Sequence, residues 1–221
     1  MTSPETPSDR LGEMPFTPPA EAMRRAVEAL LSRQSVSPKR LVVPGPSDDE
    51  LRSIMAMALT APDHGNLQPY RFIRIADKAR ERLAVVFQEV RRRANPDAEA
   101  AVLQRDREKA LNGPCLLAVV GRIRGDCPGI PASEQYTAIG AAVMAVLMAA
   151  HLFGYGAIML SGDRVRDPLF GAALGLSEGE ELIGFITIGT IARPLARKQR
   201  RSPDDVLSTW EGTSAAVGRR G

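Results

Sequence analysis

Along the chain, segments with apolar residues every three or four positions alternate with shorter runs that are apolar throughout. In "AEAMRRAVEALLS", residues 20 to 32, Met23, Val27, Leu30 and Leu31 share one face, while Arg24, Arg25 and Glu28 lie opposite. That spacing predicts a half-buried helix. A second helix opens with Ser47 and carries Glu50 three residues later, the capping-box spacing. It continues through Leu51, Ile54, Met55 and Ala58 until Pro62 stops it. "YRFIRIA", residues 70 to 76, is rich in aromatic and β-branched side chains and predicts a strand, with Asp77 as the cap of a helix over 78 to 93. A charged helical region over 96 to 112 leads through Gly113 and Pro114 into "CLLAVVGRI", residues 115 to 123. This unbroken apolar run predicts a central strand covered on both faces. Ser133 is the expected cap of a long apolar helix reaching Phe153, and "GYGAIML" follows as a short strand. Asp167 with Pro168 gives a cap and first-turn proline for one more helix, and "ELIGFITIGT", residues 181 to 190, is the last strand. The pattern predicts an α+β fold, helices around a central mixed β-sheet.

At 221 residues the chain suits one sizeable domain, expected over residues 20 to 210. Residues 1 to 19, rich in Pro, Ser and Thr, read as a disordered arm without the pattern of a signal peptide, and 211 to 221 as a flexible tail. The stretch 138 to 160 is apolar enough to suggest a membrane span. Its small residues, with His151, Gly154 and Gly156, instead predict a helix packed closely inside the protein. The net charge is +3, with basic residues concentrated at 91 to 93 and 197 to 201. Local anion sites fit that distribution better than a nucleic-acid surface does. Two cysteines, Cys115 and Cys127, at a spacing unlike a metal or redox pair, imply no zinc site and a reducing cytoplasm.

Several motifs are incomplete. "GYGAIM" at 154 to 159 lacks the third glycine of a dinucleotide fingerprint and runs from helix to strand, the reverse of the required order. Ser161 lacks the glycine two residues earlier that a nucleophile elbow needs, and no phosphate loop of the GxxxxGK type occurs. His64 and His151 have no partner at metal-ligand spacing, and His151 reads as a core histidine with a satisfied hydrogen bond.

What remains is polar and scattered among element ends: "SRQS" at 32 to 35, "PDHGNLQP" at 62 to 69, "LSGD" at 160 to 163 and "RKQRR" at 197 to 201. In that order these segments resemble the flavin-dependent nitroreductase superfamily, and most closely its small bacterial YdjA-type NAD(P)H nitroreductases. The resemblance runs over roughly residues 21 to 205 and includes the Arg33-x-Ser35 pair, "APDHGNLQPYRF", "GYGAIMLSGD" and the ending "LGLSEGEELIGFITIGTIARPLARKQRR". It implies a domain-intertwined homodimer with FMN at the subunit interface. It also implies an activity that uses NAD(P)H to reduce nitroaromatic, quinone or similar electron-poor acceptors in two flavin-mediated steps, with no acid, base or nucleophile of the chain's own. Arg33, Lys198 and Arg200 would hold the phosphate, with Gln34 and Ser35 adding neutral donors. Asn66 and Gln68 would meet the ribityl hydroxyls and the pyrimidine edge, and His64 would approach the cofactor of the partner subunit. Leu160, Ser161 and Gly162 would lay backbone along one face of the flavin. The sequence departs from its YdjA-type relatives at Leu160 and Gln34, where they have arginines, and at Tyr70, where they have tryptophan. Those departures motivate an alternative, a flavin-binding sensor or carrier with little turnover. Neither nucleic acid nor membrane is an expected partner.

Overall fold

A computed structural model describes residues 19 to 196, 198 to 210 and 212. The expected N-terminal arm and C-terminal tail therefore lie outside the described residues, apart from Pro19 and Gly212.

Eleven elements are named, in chain order. They are α1 (Ala20–Ser32), β1 (Leu41–Val42), α2 (Asp48–Ala58), β2 (Tyr70–Arg74), α3 (Asp77–Ala94), α4 (Ala100–Leu111), β3 (Cys115–Arg122), α5 (Ala132–Leu152), β4 (Gly156–Leu160), α6 (Pro168–Leu174) and β5 (Glu180–Ile191). The strands form one five-stranded sheet in the order β1-β5-β3-β2, with β4 also paired to β5. All of these ladders are antiparallel. The expected mixed character of the sheet reduces to a single parallel bridge between Ser35 and Ala157.

The continuous apolar run of β3 is explained by a core on each side. Cys115, Leu117 and Val119 pack with Ile54 of α2 and Ile139, Ala142 and Val146 of α5. Leu116 and Ala118, pointing the other way, pack with Leu83 and Ala84 of α3 and Phe170 of α6. Each fully buried Leu or Val here contributes on the order of 1.5 to 3 kcal/mol. β5 alternates in the same way, Ile186 and Ile188 on the α5 side and Leu182 and Phe185 on the α3 side. The helix long and apolar enough to cross a membrane, α5, has more than half of its most apolar window buried in this core.

The Ser47–Glu50 capping box and the Asp167–Pro168 helix start are both present. Two expected caps are not. α3 begins with Asp77 inside its first turn, after Ala76, and α5 begins at Ala132 after Pro131, so neither Asp77 nor Ser133 caps. Asp77 still sits where the helix dipole favours a negative charge.

The larger correction concerns α1. Its amphipathic spacing is real, yet no residue of the helix is buried, and Met23, Val27, Leu30 and Leu31 are 46% to 64% exposed. The helix touches α5 only slightly, and among the described residues nothing broad covers that face.

Candidate functional site

The polar segments picked out in the sequence fall into three groups. The first is at the end of α1. Arg33 leaves the helix in an extended conformation, and Ser35 bridges to Ala157 while the Val36 amide donates to the Ala157 carbonyl at 3.1 Å. Val36, 2% exposed, anchors this crossing in the core. Arg33, Gln34 and Ser35 are thereby fixed beside the first residues of β4. The basic segment after β5 folds back over them. Arg200 Nη2 donates to the Arg33 carbonyl at 2.7 Å, and Gln34 Nε2 donates to the Ala196 carbonyl at 3.3 Å. Lys198 is exposed two residues earlier. Among the described residues the ion pairs are made by other side chains, so Arg200 lies against the Arg33 main chain and neither arginine has a carboxylate partner. Burial, and then the Arg200 charge, lower the pKa of Arg33. An anion bound beside the two arginines would offset both effects.

The second group is the far end of β4. Leu160 pairs with Phe185 across the ladder, and the chain turns at Gly162, whose φ is 134°. Gly184 on β5 makes this approach possible. A Cβ there would lie 2.7 Å from the Leu160 carbonyl and 3.1 Å from Ser161 Cβ. Ala157 and Leu160 are three strand residues apart, so the first two groups are separated by about 10 Å along one strand.

The third group is the loop 61 to 69. Asp63 organises it: its Oδ2 accepts from the Gln68 amide at 2.6 Å, and its carbonyl accepts from the Asn66 amide at 3.2 Å. Gly65, Asn66 and Gln68 all have positive φ, 74°, 50° and 45°. For Asn66 and Gln68 that conformation is strained and is imposed by the surroundings. Buried Pro69 ties the loop to β3 by accepting from the Arg122 amide at 2.9 Å. Tyr70 is turned inward, its hydroxyl donating to the Ala58 carbonyl at 2.9 Å. The side-chain amides of Asn66 and Gln68 are exposed, without a hydrogen-bond partner among the described residues. His64 Nδ1 lies 2.7 Å from Glu134 Oε2 in the first turn of α5.

The first and second groups therefore adjoin, and the third does not join them within one chain. His64 is tied to Glu134 at the start of α5, whereas Ser32 Oγ, next to Arg33, lies 2.9 Å from His151 Nε2 at its end. Seventeen residues of continuous helix put these two points about 25 Å apart.

The sequence reading missed Asp63 and Glu134 and placed His151 in the core. His151 does have its hydrogen bond, but it is half-buried in the wall of a cavity shared with Arg33 and Gln34. Asp63 was recoverable, because an aspartate opening a Gly- and Asn-containing turn commonly accepts amides from the residues that follow. Nothing local marks Glu134 as a partner for a histidine 70 positions away.

Residues 30–190 match the nitroreductase family as a whole. The chain belongs to the nitroreductase family. Over 165 residues it is 33% identical to YdjA of Escherichia coli strain K12, a protein provisionally named an NAD(P)H nitroreductase, across 75% of this chain and 87% of the relative. The fold agrees. A nitroreductase-like family protein from Bacillus cereus superposes with a TM-score of 0.71 at 20% identity, covering 91% of this chain and all of the other. A nitroreductase-type protein from Desulfovibrio desulfuricans, solved in complex with FMN, superposes with a TM-score of 0.62 at 22% identity over 84% of this chain and 96% of the other.

Proposed function

We propose that this member of the family is an FMN-dependent oxidoreductase using NAD(P)H to reduce nitroaromatic, quinone or similar electron-poor acceptors, and that it works as a homodimer with the flavin at the subunit contact. The observation that carries the reading is the Arg33–Arg200 pair without a carboxylate, set about 10 Å along β4 from the bare backbone of Leu160–Gly162. Two adjacent cations need an anion, and a phosphate monoester fits, with Lys198 and the Ser35 hydroxyl as further donors. The flat strand end past Gly184 suits one face of an aromatic ring system. Asn66 and Gln68 carry both donors and acceptors, as ribityl hydroxyls and the pyrimidine edge require.

Bound there, FMN supplies the redox chemistry, hydride acceptance from reduced nicotinamide and electron delivery to the acceptor. The chain's own residues bind and orient. Arg33, Lys198 and Arg200 neutralise the phosphate, and Gln34 holds the basic segment folded over it through Ala196. Leu160, Ser161 and Gly162 fix the position of the ring and keep water from that face. Asp63 and Glu134 hold Asn66, Gln68 and His64 in a fixed presentation. No side chain is assigned as acid, base or nucleophile.

The homodimer is supported by apolar surface that one chain leaves bare. Besides the α1 face, α5 exposes Thr137, Gly140 and Met144 near its middle, and Val206, Leu207 and Trp210 are 75% to 86% exposed. Exposed apolar side chains in this number favour an interface.

An absorption spectrum of the purified protein tests the proposal. The expected result is a yellow protein whose flavin band bleaches on anaerobic addition of NADH or NADPH. A colourless protein that takes up no added FMN would sink it. The sensor or carrier reading is favoured by one detail, that Gln34 spends its amide on Ala196 where relatives place a charge. Steady-state NAD(P)H oxidation with menadione separates the two, since a carrier would bleach without turning over.

A further inference from the structure

On the face of the sheet away from α5, the end of β4 and the middle of β5 enclose a cavity of about 220 Å³ with α3, α4 and α6. Its aromatic wall is a cluster of three rings, Phe87 4.8 Å from Phe170 and 5.2 Å from Phe185, with Phe170 and Phe185 5.6 Å apart. Opposite are Lys109 and Arg164. Both bind Asp106, which is 2% exposed and also held by Arg91; the Arg164 Nη1–Asp106 Oδ2 distance is 2.9 Å. Three cations on one buried carboxylate leave positive charge in excess beside an apolar space. Of the other carboxylates nearby, Asp163 is exposed in the turn between Gly162 and Arg164, and Asp167 caps α6 and faces Arg93 at 3.5 Å; neither pairs with Lys109 or Arg164.

We infer that this cavity is a second small-molecule site, for a planar aromatic monocarboxylate, at the far end of β4 from the Arg33–Arg200 cluster. The ring would pack against the Phe87, Phe170 and Phe185 edges, and the carboxylate would take charge-assisted hydrogen bonds from Lys109 and Arg164. The size agrees, since an apolar cavity of about 150 Å³ already holds benzene. Leu160, Ser161 and Gly162 are also part of the wall. If the flavin reading above holds, a ligand in the cavity sits behind the backbone that positions the ring, and its binding registers in the flavin spectrum.

Benzoate is the probe, with benzamide as its neutral counterpart, measured by calorimetry on the flavin-loaded protein and on the flavin-free full chain. Both forms are expected to bind benzoate, and benzamide is expected to bind at least about tenfold more weakly, the loss that one charge-assisted hydrogen bond represents. Lys109→Gln and Arg164→Gln should remove most of that preference, each leaving Asp106 two cations. Val165→Trp should fill the cavity and abolish binding of both probes. Should that variant not fold, Arg164→Gln, on an exposed turn, still decides the matter. No binding of benzoate at millimolar concentration overturns the inference, as does equal affinity for both probes or loss of benzoate binding when FMN is added. The last outcome would assign the cavity to the flavin or its acceptor. Because the flavin-free arm needs no cofactor, benzoate binding by a protein that takes no FMN would uphold the cavity while refuting the redox reading.

Discussion

Replacing Arg33 by glutamine separates charge recognition from every other contribution to cofactor binding. Arg33 is partly buried, faces Arg200 and has no carboxylate partner among the described residues. Its charge in the free protein is therefore opposed by burial and by a like charge, and a bound phosphate would relieve both. Removing it deletes a charge-assisted hydrogen bond worth roughly 1.5 to 3 kcal/mol. The relief of repulsion disappears with it, which places the expected loss in the upper part of that range. About 2 to 3 kcal/mol corresponds to roughly 30- to 150-fold in Kd. The assay is quenching of flavin fluorescence, titrated with FMN and, in parallel, with riboflavin, which has the same ring and ribityl chain without the phosphate. Arg33→Gln should weaken FMN by that factor and leave riboflavin unchanged, and raised salt should reduce the FMN advantage of the native protein. The free variant should unfold at no lower a denaturant concentration than the native chain, because an uncompensated like-charge contact has been removed. Equal losses for FMN and riboflavin would refute the phosphate role of Arg33, and no loss for either would refute its presence in the site.

Asp106→Asn should cost about 3 kcal/mol in urea unfolding, the lower end for breaking a buried ion pair, because Arg91, Lys109 and Arg164 keep access to water; an unchanged midpoint would show that the three cations need no counter-charge. Gly113→Ala should destabilise far more than Gly129→Ala. Both residues have positive φ, but a Cβ at 113 would run into buried Thr187 while one at 129 meets nothing within 4 Å, so about 2 to 5 kcal/mol is expected against 1 to 2, and equal midpoints would exclude the clash. Glu180 has its pKa lowered, first by its hydrogen bonds to Arg71, with burial opposing and the Ser177 amide and Arg122 adding to the effect. A depressed carboxylate stabilises above its unfolded pKa, about 4.3, and loses that contribution as pH falls through the folded value. Glu180→Gln should accordingly flatten the loss of stability below about pH 4, as read from urea midpoints across pH, and an unaltered acid limb would assign it to other groups.

The parts of the fold that could be read from sequence are those specified by neighbours in the chain. β3 announces itself because both of its faces are covered, so seven consecutive positions, Cys115 to Gly121, had to be apolar or small enough to bury. Ser47 with Glu50, and Asp167 with Pro168, act within a single helical turn. Asp77 and Ser133 looked equivalent and are not, because a cap depends on where the preceding backbone leaves the extended region, and in both cases that happens one or two residues earlier. The candidate site residues could be proposed from the sequence, but not their arrangement. Arg200 meets Arg33 across 167 positions and His64 meets Glu134 across 70, contacts fixed by sheet register and by the direction of α5. The same limit explains α1. Its periodicity marks one face as apolar and cannot state that this face stays exposed among the described residues.

α5 links that uncovered face to the site. The loop carrying Asn66 and Gln68 is tied to its N-terminal turn, the Arg33 cluster to its C-terminal turn, and about 25 Å of helix keeps them apart. Between them run the exposed positions Thr137, Gly140 and Met144, near the middle of the helix. A two-fold axis crossing α5 there would set two copies of the helix antiparallel. It would bring the N-terminal end of one beside the C-terminal end of the other, and so the loop of one chain toward the Arg33 cluster of its partner. Gly140→Arg tests this geometry, since a Cβ at 140 meets nothing within 4 Å among the described residues and arginine favours the helix more than glycine does. The isolated chain should be as stable as before or more so, yet sedimentation should show a monomer and FMN affinity should fall with the dimer. A Gly140→Arg protein that remains dimeric and binds FMN undiminished would mean that the two copies meet elsewhere, and that the three polar groups do not serve one cofactor by this route.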